Sequence, residues 1–222
     1  MPRLTSRLLL LPGLALALLA ACQPADPVTG PAVTSRRPVP RVAPVAALTE
    51  AQLDSILEAE EARIDARKEA EQAVYDSLAP LWQAVLDDTT GRWADSLVCD
   101  PKQYVATAKI VGPEGDDINF GEHTLRIPRG ALSMRTVITA EAPTSLRVLA
   151  RFSPHGTRFN AGFEPTLELS YKHCRGPLNR DARIAYVDAE GRILEWPPSE
   201  DFPDLGLVRG RIAHFSNYIV AY

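Results

Sequence analysis

Three patterns of apolar and polar residues follow one another along the 222-residue chain. The first is an apolar run of about a dozen residues, Leu8 to Leu19, broken by Pro12 and Gly13 and preceded by Arg3 and Arg7. It is too short for a bilayer-spanning helix, which needs roughly 20 residues. The second pattern has helical spacing. From Glu50 to Leu78 there is no glycine or proline, and strong helix formers dominate. Thr49, with Gln52 three residues on, has the form of a capping box, so the helix is expected to begin there. Its apolar stripe of Leu53, Ile56, Leu57 and Ile64 is interrupted by Glu60, Arg67 and Glu71, which predicts a mostly solvated helix held by charge pairs. Ala59, Ala62, Ala66, Ala70 and Ala73 form a second stripe, small enough for another copy of the helix to approach. Pro80 is expected to stop or kink the helix, leaving Leu81, Trp82, Val85 and Leu86 as the apolar face of a short second one. Asp87 to Gly91 carry turn chemistry, and Trp82 and Trp93 are expected in a core.

The third pattern alternates. Residues 104–111, 124–127, 137–141, 146–152, 166–171, 182–187, 192–196, 206–213 and 218–222 read as nine strands, rich in β-branched and aromatic residues and separated by Gly, Pro, Asn and Asp. With no helical spacing between them, they predict a mainly β domain, an antiparallel sandwich of about 120 residues.

Composition separates the segments further. Gln23 to Ala47 carry six prolines and favour an extended, solvated chain, reaching roughly 75 Å if fully extended. Residues 49–98 hold twelve acids against four bases, whereas residues 99–222 hold fifteen of each. No basic surface for nucleic acid results.

The start of the chain resembles a bacterial lipoprotein signal: Arg3 and Arg7, the apolar run, then Leu19-Ala20-Ala21-Cys22 as a lipobox. The resemblance implies that residues 1–21 are removed and that Cys22 becomes the acylated first residue. Removing Arg3 and Arg7 leaves 22 bases against 28 acids, a net charge of −6. Residues 22–47 then read as a lipidated tether, 48–98 as an exposed helical segment and 99–222 as the β-domain. Gln23 after the cysteine points to the outer membrane by resemblance to Gram-negative sorting. In an oxidising compartment, Cys99 and Cys174 are expected to form a disulfide, the alternative being two free buried thiols.

The β-region resembles the ZU-five domain, the sandwich module of zonula occludens proteins, netrin receptors and ankyrins. The resemblance rests on Ile110-Val111-Gly112-Pro113-Glu114-Gly115, Leu125 to Leu132 with Pro128 and Gly130, Ser153-Pro154-His155-Gly156, Phe163-Glu164-Pro165 and the closing His214-Phe215-Ser216. It covers about Tyr104 to Tyr222. The chain departs at Gly115-Asp116, where a second glycine is common. Some members of that family cleave themselves between the phenylalanine and serine of such a triplet. The resemblance implies Ser216 as nucleophile and His214 as base at the Phe215–Ser216 bond; the alternative is a strand end followed by a turn.

No phosphate loop, dinucleotide fingerprint or nucleophile elbow is present, and no cofactor is expected. His173 beside Cys174 suggests a metal ligand that a disulfide would remove, and Asp116-Asp117 near Glu114 reads as an acidic turn. The expectation is a non-enzymatic binding or structural module, lipid-anchored, facing an envelope protein or polymer and able to pair through its helix. The alternative is a self-cleaving module.

Overall fold

The computed structural model describes residues 47–87, 97–176 and 180–222. Cys22, the signal region, the tether up to residue 46 and Trp93 lie outside the described residues.

A single helix, α1 (Glu50–Leu86), precedes a mainly β region. The Thr49 hydroxyl accepts from the Gln52 amide at 3.3 Å, and the Gln52 side chain accepts from the Thr49 amide at 2.9 Å. Each bond satisfies an amide that the first helical turn leaves unpaired. Thr49→Ala is expected to cost about 1 kcal/mol, read as faster hydrogen exchange at residues 50–53.

The expected break at Pro80 is absent, and α1 runs through it to Leu86. Pro80 forfeits the bond its amide would make to the Asp76 carbonyl, but both residues face solvent, where water replaces it. The second apolar face dissolves with the break: Val85 is buried, whereas Leu81 is 52 % exposed.

The β region forms three antiparallel sheets. The largest has the order β10 (Ile193–Glu195), β9 (Arg183–Val187), β13 (Asn217–Ala221), β6 (Leu149–Ser153), β5 (Thr136–Ala142), β2 (Val105–Val111). A five-stranded sheet has the order β11 (Ser199–Phe202), β12 (Leu207–Arg211), β7 (Thr166–Ser170), β4 (His123–Ile127), β3 (Asp116–Phe120). A short ladder pairs β1 (Val98–Cys99) with β8 (Cys174–Arg175). All nine expected strands are present, with β1, β3, β8 and β11 in addition. One buried cluster draws on both larger sheets, including Ile138, Phe152 and Tyr218 from one and Phe120, Leu125 and Leu167 from the other.

Period-2 alternation explains which residues enter that cluster. In β6, Ala150 and Phe152 are buried while Leu149, Arg151 and Ser153 are partly exposed. β5 is different: Val137 through Glu141 are all buried. Its inner face, Ile138 and Ala140, joins the cluster, and its outer face, Thr139 and Glu141, lies under α1.

The helix is therefore docked rather than free. Thr139 Oγ1 donates to Glu60 at 2.9 Å, and Glu141 receives Arg63 at 2.9 Å and Arg67 at 3.2 Å. The Thr144 amide donates to Glu71 at 3.0 Å, and Arg135 pairs with Glu50. These contacts advance together. From Glu50 to Glu71 a helix rises about 32 Å, and from Arg135 to Thr144 a strand covers about 30 Å. α1 thus lies along β5 in the same direction, with charges spaced to meet. Ala59, Ala62, Ala66, Ala70 and Ala73 all face solvent.

Candidate functional site

The His214-Phe215-Ser216 triplet lies between β12 and β13 and is held on both sides. The Phe215 ring is fully buried, stacked on Phe152 at 5.6 Å and edge-on to Phe159 at 5.0 Å. Its amide donates to the Thr157 carbonyl, and its own carbonyl accepts from the Gly156 amide, both at 2.9 Å. Ser216 is fully buried, and its Oγ lies 2.9 Å from His155 Nε2. The loop after β6 that carries His155 and Gly156 thus places an imidazole on the serine and an N–H on the preceding carbonyl.

His214 has a different place from the one the triplet suggests. Its ring packs edge-on to Tyr186 at 4.9 Å, and its carbonyl accepts from the Tyr218 hydroxyl at 2.6 Å. The imidazole on Ser216 is His155, which sequence order could not single out because it lies 61 residues away. Among the described residues no non-glycine residue has positive φ, so the backbone around Phe215 carries no left-handed strain.

A second locus lies at the disulfide end. Cys99 and Cys174 face each other in register across the β1–β8 ladder and are bonded. Beside them a cleft of about 370 Å³ is lined by residues including Lys102, Glu122, His123, Arg147 and His173. His123 Nδ1 accepts from the Ser170 amide at 3.1 Å. Burial, aided by the nearby His173 and opposed by Glu122, holds His123 down to about 4. His173 is also lowered, chiefly by burial and against the pull of Glu122. Both imidazoles are neutral near pH 7. Glu122 Oε2 stands 3.3 Å from His173 Nδ1 without the alignment of a hydrogen bond.

Cys99, His173 and Cys174 bring potential metal-ligand atoms within 4.8 Å of one another. Disulfide formation spends both thiolates and leaves His173 alone, too few donors for a tetrahedral site.

The acidic turn is corrected as well. Asp116 and Asp117 belong to β3, where Asp116 pairs with Lys109 at 2.6 Å and Asp117 with Arg126 at 2.9 Å. Both carboxylates have basic partners already in place. Among the described residues no helix is long and apolar enough to cross a membrane. No protein-family model matches the chain, and no curated protein matches it.

Proposed function

We propose that the chain is a lipid-anchored cell-envelope protein, with Cys22 the acylated residue and the outer membrane its site. Its β region acts as a ZU-five-like sandwich that binds an envelope protein or polymer. The observation that carries the binding reading is the cleft at the disulfide end. It combines ligand-sized volume with the buried neutral imidazole of His123 and charged walls, the usual make-up of a recognition site. The Leu19-Ala20-Ala21-Cys22 sequence supports the anchor. Feeding cells an alkyne-tagged palmitate tests it: the wild type is expected to take up label, and Cys22→Ser to take up none. Equal labelling of the two removes the anchor from the reading. Crosslinking in intact cells tests the partner, which is expected as a discrete adduct.

A second reading, self-cleavage at Phe215–Ser216, is favoured by one arrangement: Ser216 Oγ on His155 Nε2, with the Gly156 amide on the Phe215 carbonyl. In this reaction the Ser216 oxygen bonds to the Phe215 carbonyl carbon as His155 accepts the hydroxyl proton. The Gly156 N–H steadies the developing oxyanion. The C–N bond then breaks, the Ser216 nitrogen takes the proton back, and water opens the resulting ester. Loss of a seven-residue C-terminal piece (residues 216–222), abolished by both Ser216→Ala and His155→Ala, is the expected mass change. An intact mass for the wild type after prolonged incubation discards this reading and leaves the binding module in place.

A further inference from the structure

Helix α1 lies at one side of the largest sheet, over β5 and β2. The other four strands, β6, β13, β9 and β10, span roughly 19 Å, room for one more helix about 10 Å across. Their outer face carries an apolar cluster separate from the inner core: Ala185, Val187 and Ile219, with Leu149 beside them. Two hollows of about 370 and 340 Å³ run along this face and share Arg151 and Asn217, so they form one trench beside the helix. Arg63 and Arg67 of α1 form its near wall, and the turn at residues 188–191 forms its far wall. The trench has spare positive charge. Asp188 and Glu190 are taken by Arg192, and Glu60 and Glu141 meet Arg63 and Arg67. Arg147 and Arg151 have no carboxylate partner among the described residues. Arg147 Nη1 comes within 3.9 Å of where a Cβ on Gly191 would sit, which places its guanidinium on the far wall.

The helix carries a surface that matches. Ile56, Arg63, Val74 and Leu81 fall on one line along α1, two or three turns apart. Because Arg63 lines the trench, this line overlooks it. Ile56, Val74 and Leu81 are 40 %, 40 % and 52 % exposed, an apolar flank left open to solvent. Opposite the buried Leu53 and Ile64 lie Ala62, Ala66 and Ala73, and Glu58 and Glu69 beside them have no basic partner among the described residues. We propose that the trench receives α1 of a second copy of this chain, while α1 fills the second copy's trench in return. The two helices lie antiparallel and side by side between the two sheets, in one two-fold interface. Pairing about the midpoint between residues 68 and 69 sets Ile56 against the partner's Leu81 at both ends. The alanine face of each helix then lies on Leu149 and Ile219 of the other copy, where small side chains permit close approach. Glu58 and Glu69 meet the spare charges of Arg147 and Arg151.

This pairing goes beyond the anchored binding module and does not depend on it. The test sediments the full chain in a non-ionic detergent matched to the solvent density. A mass of two protein chains is expected at micromolar concentration. Val74→Arg and Leu81→Arg change exposed residues, so both variants are expected to melt with the wild type. Each is expected to weaken pairing roughly tenfold or more, and Leu205→Arg, exposed beside the five-stranded sheet, to leave it unchanged. The Arg147→Glu/Arg151→Glu variant is expected to lose a similar factor. Adding Glu58→Arg/Glu69→Arg is expected to restore most of it, a rescue that a damaged fold cannot produce. Oxidising an Ile56→Cys/Leu81→Cys variant is expected to give a covalent dimer. Within one helix the two positions are about 37 Å apart, so such a bond can only join two copies. A monomer throughout the micromolar range, pairing indifferent to Val74→Arg and Leu81→Arg, no rescue by the exchanged charges, or no crosslink between positions 56 and 81 each overturns the proposal.

Discussion

The Cys99→Ala/Cys174→Ala double variant is expected to be roughly 4 kcal/mol less stable than the oxidised wild type. The bond closes a loop of 75 residues. In the chain-entropy account, opening it returns freedom to the unfolded chain and costs about that much. For a domain of this size the melting point should fall by roughly 10 °C or somewhat more. Alanine is the right replacement at position 99, since the residue is fully buried and a serine would bring an unpaired hydroxyl into the core. Reducing the wild type with a phosphine should reproduce most of the loss. The bonded ladder is also tied in by other contacts: the Cys99 amide donates to Leu146 and the Asp100 amide to His173. Local unfolding should therefore spread first to the walls of the cleft, seen as faster exchange at residues 98–102 and 173–175. A loss below 1 kcal/mol in both experiments shows that the bond contributes little.

Glu141→Ala should come next in size, at about 2–3 kcal/mol. Removing one member of a fully buried ion pair typically costs about 3–5 kcal/mol, because the partner charge stays unpaired in a poor solvent. Here Glu141 is 5 % exposed, but Arg63 and Arg67 keep side-chain exposures of 40 % and 33 %, so water recovers part of the loss. The effect should be local. Helix α1 is expected to lose hydrogen-exchange protection while the inner cluster of the sheets keeps its own. Combining Glu141→Ala with Arg63→Ala should cost less than the sum of the two, by about 1 kcal/mol. Additive losses, or protection lost equally everywhere, contradict a helix docked through these charges.

Acid should act on the same seam. Burial pushes the Glu60 carboxyl up, but hydrogen bonds from Arg63 and Thr139, with the charge of Arg63, outweigh it and leave Glu60 below its usual 4.5. The unfolded chain therefore takes up this proton at higher pH than the folded one. The stability that Glu60 contributes is complete above about 4.5 and fades as pH falls through its lower folded value. Helix protection measured from pH 7 to pH 3 should decline below pH 4.5, and added salt should weaken it at any pH. Protection that stays level down to pH 3 contradicts this.

Much of the architecture was legible in the amino-acid order. Alternation marks nine strands, and the pairing of Thr49 with Gln52 marks the helix start, because both signals are local. What escaped is instructive. Asp116-Asp117 reads as an acidic turn, yet the pair opens a strand in which Ile118 and Phe120 alternate inward while the acids meet Lys109 and Arg126 from neighbouring strands. The two-residue strands β1 and β8 are too short for any period to show. Glu60, Arg67 and Glu71 read as breaks in the helical stripe. They are its continuation, falling at helical spacing between Leu53, Ile64 and Val85, but what they meet on β5 is charged and polar rather than apolar. A hydrophobicity pattern cannot recognise an interface built from carboxylates, guanidiniums and hydroxyls. His155 escaped for a related reason: its partner lies far along the chain, and adjacency pointed to His214.

The parallel run of α1 and β5 has a mechanical consequence. A pull along the helix axis from residue 49 loads every anchoring pair at once, in shear, so the arm resists as a unit. A pull perpendicular to the sheet meets them one at a time, beginning with the exposed Glu50–Arg135 pair, and opens the arm like a zip. The molecule should therefore be stiff to drag along its surface and compliant to lifting.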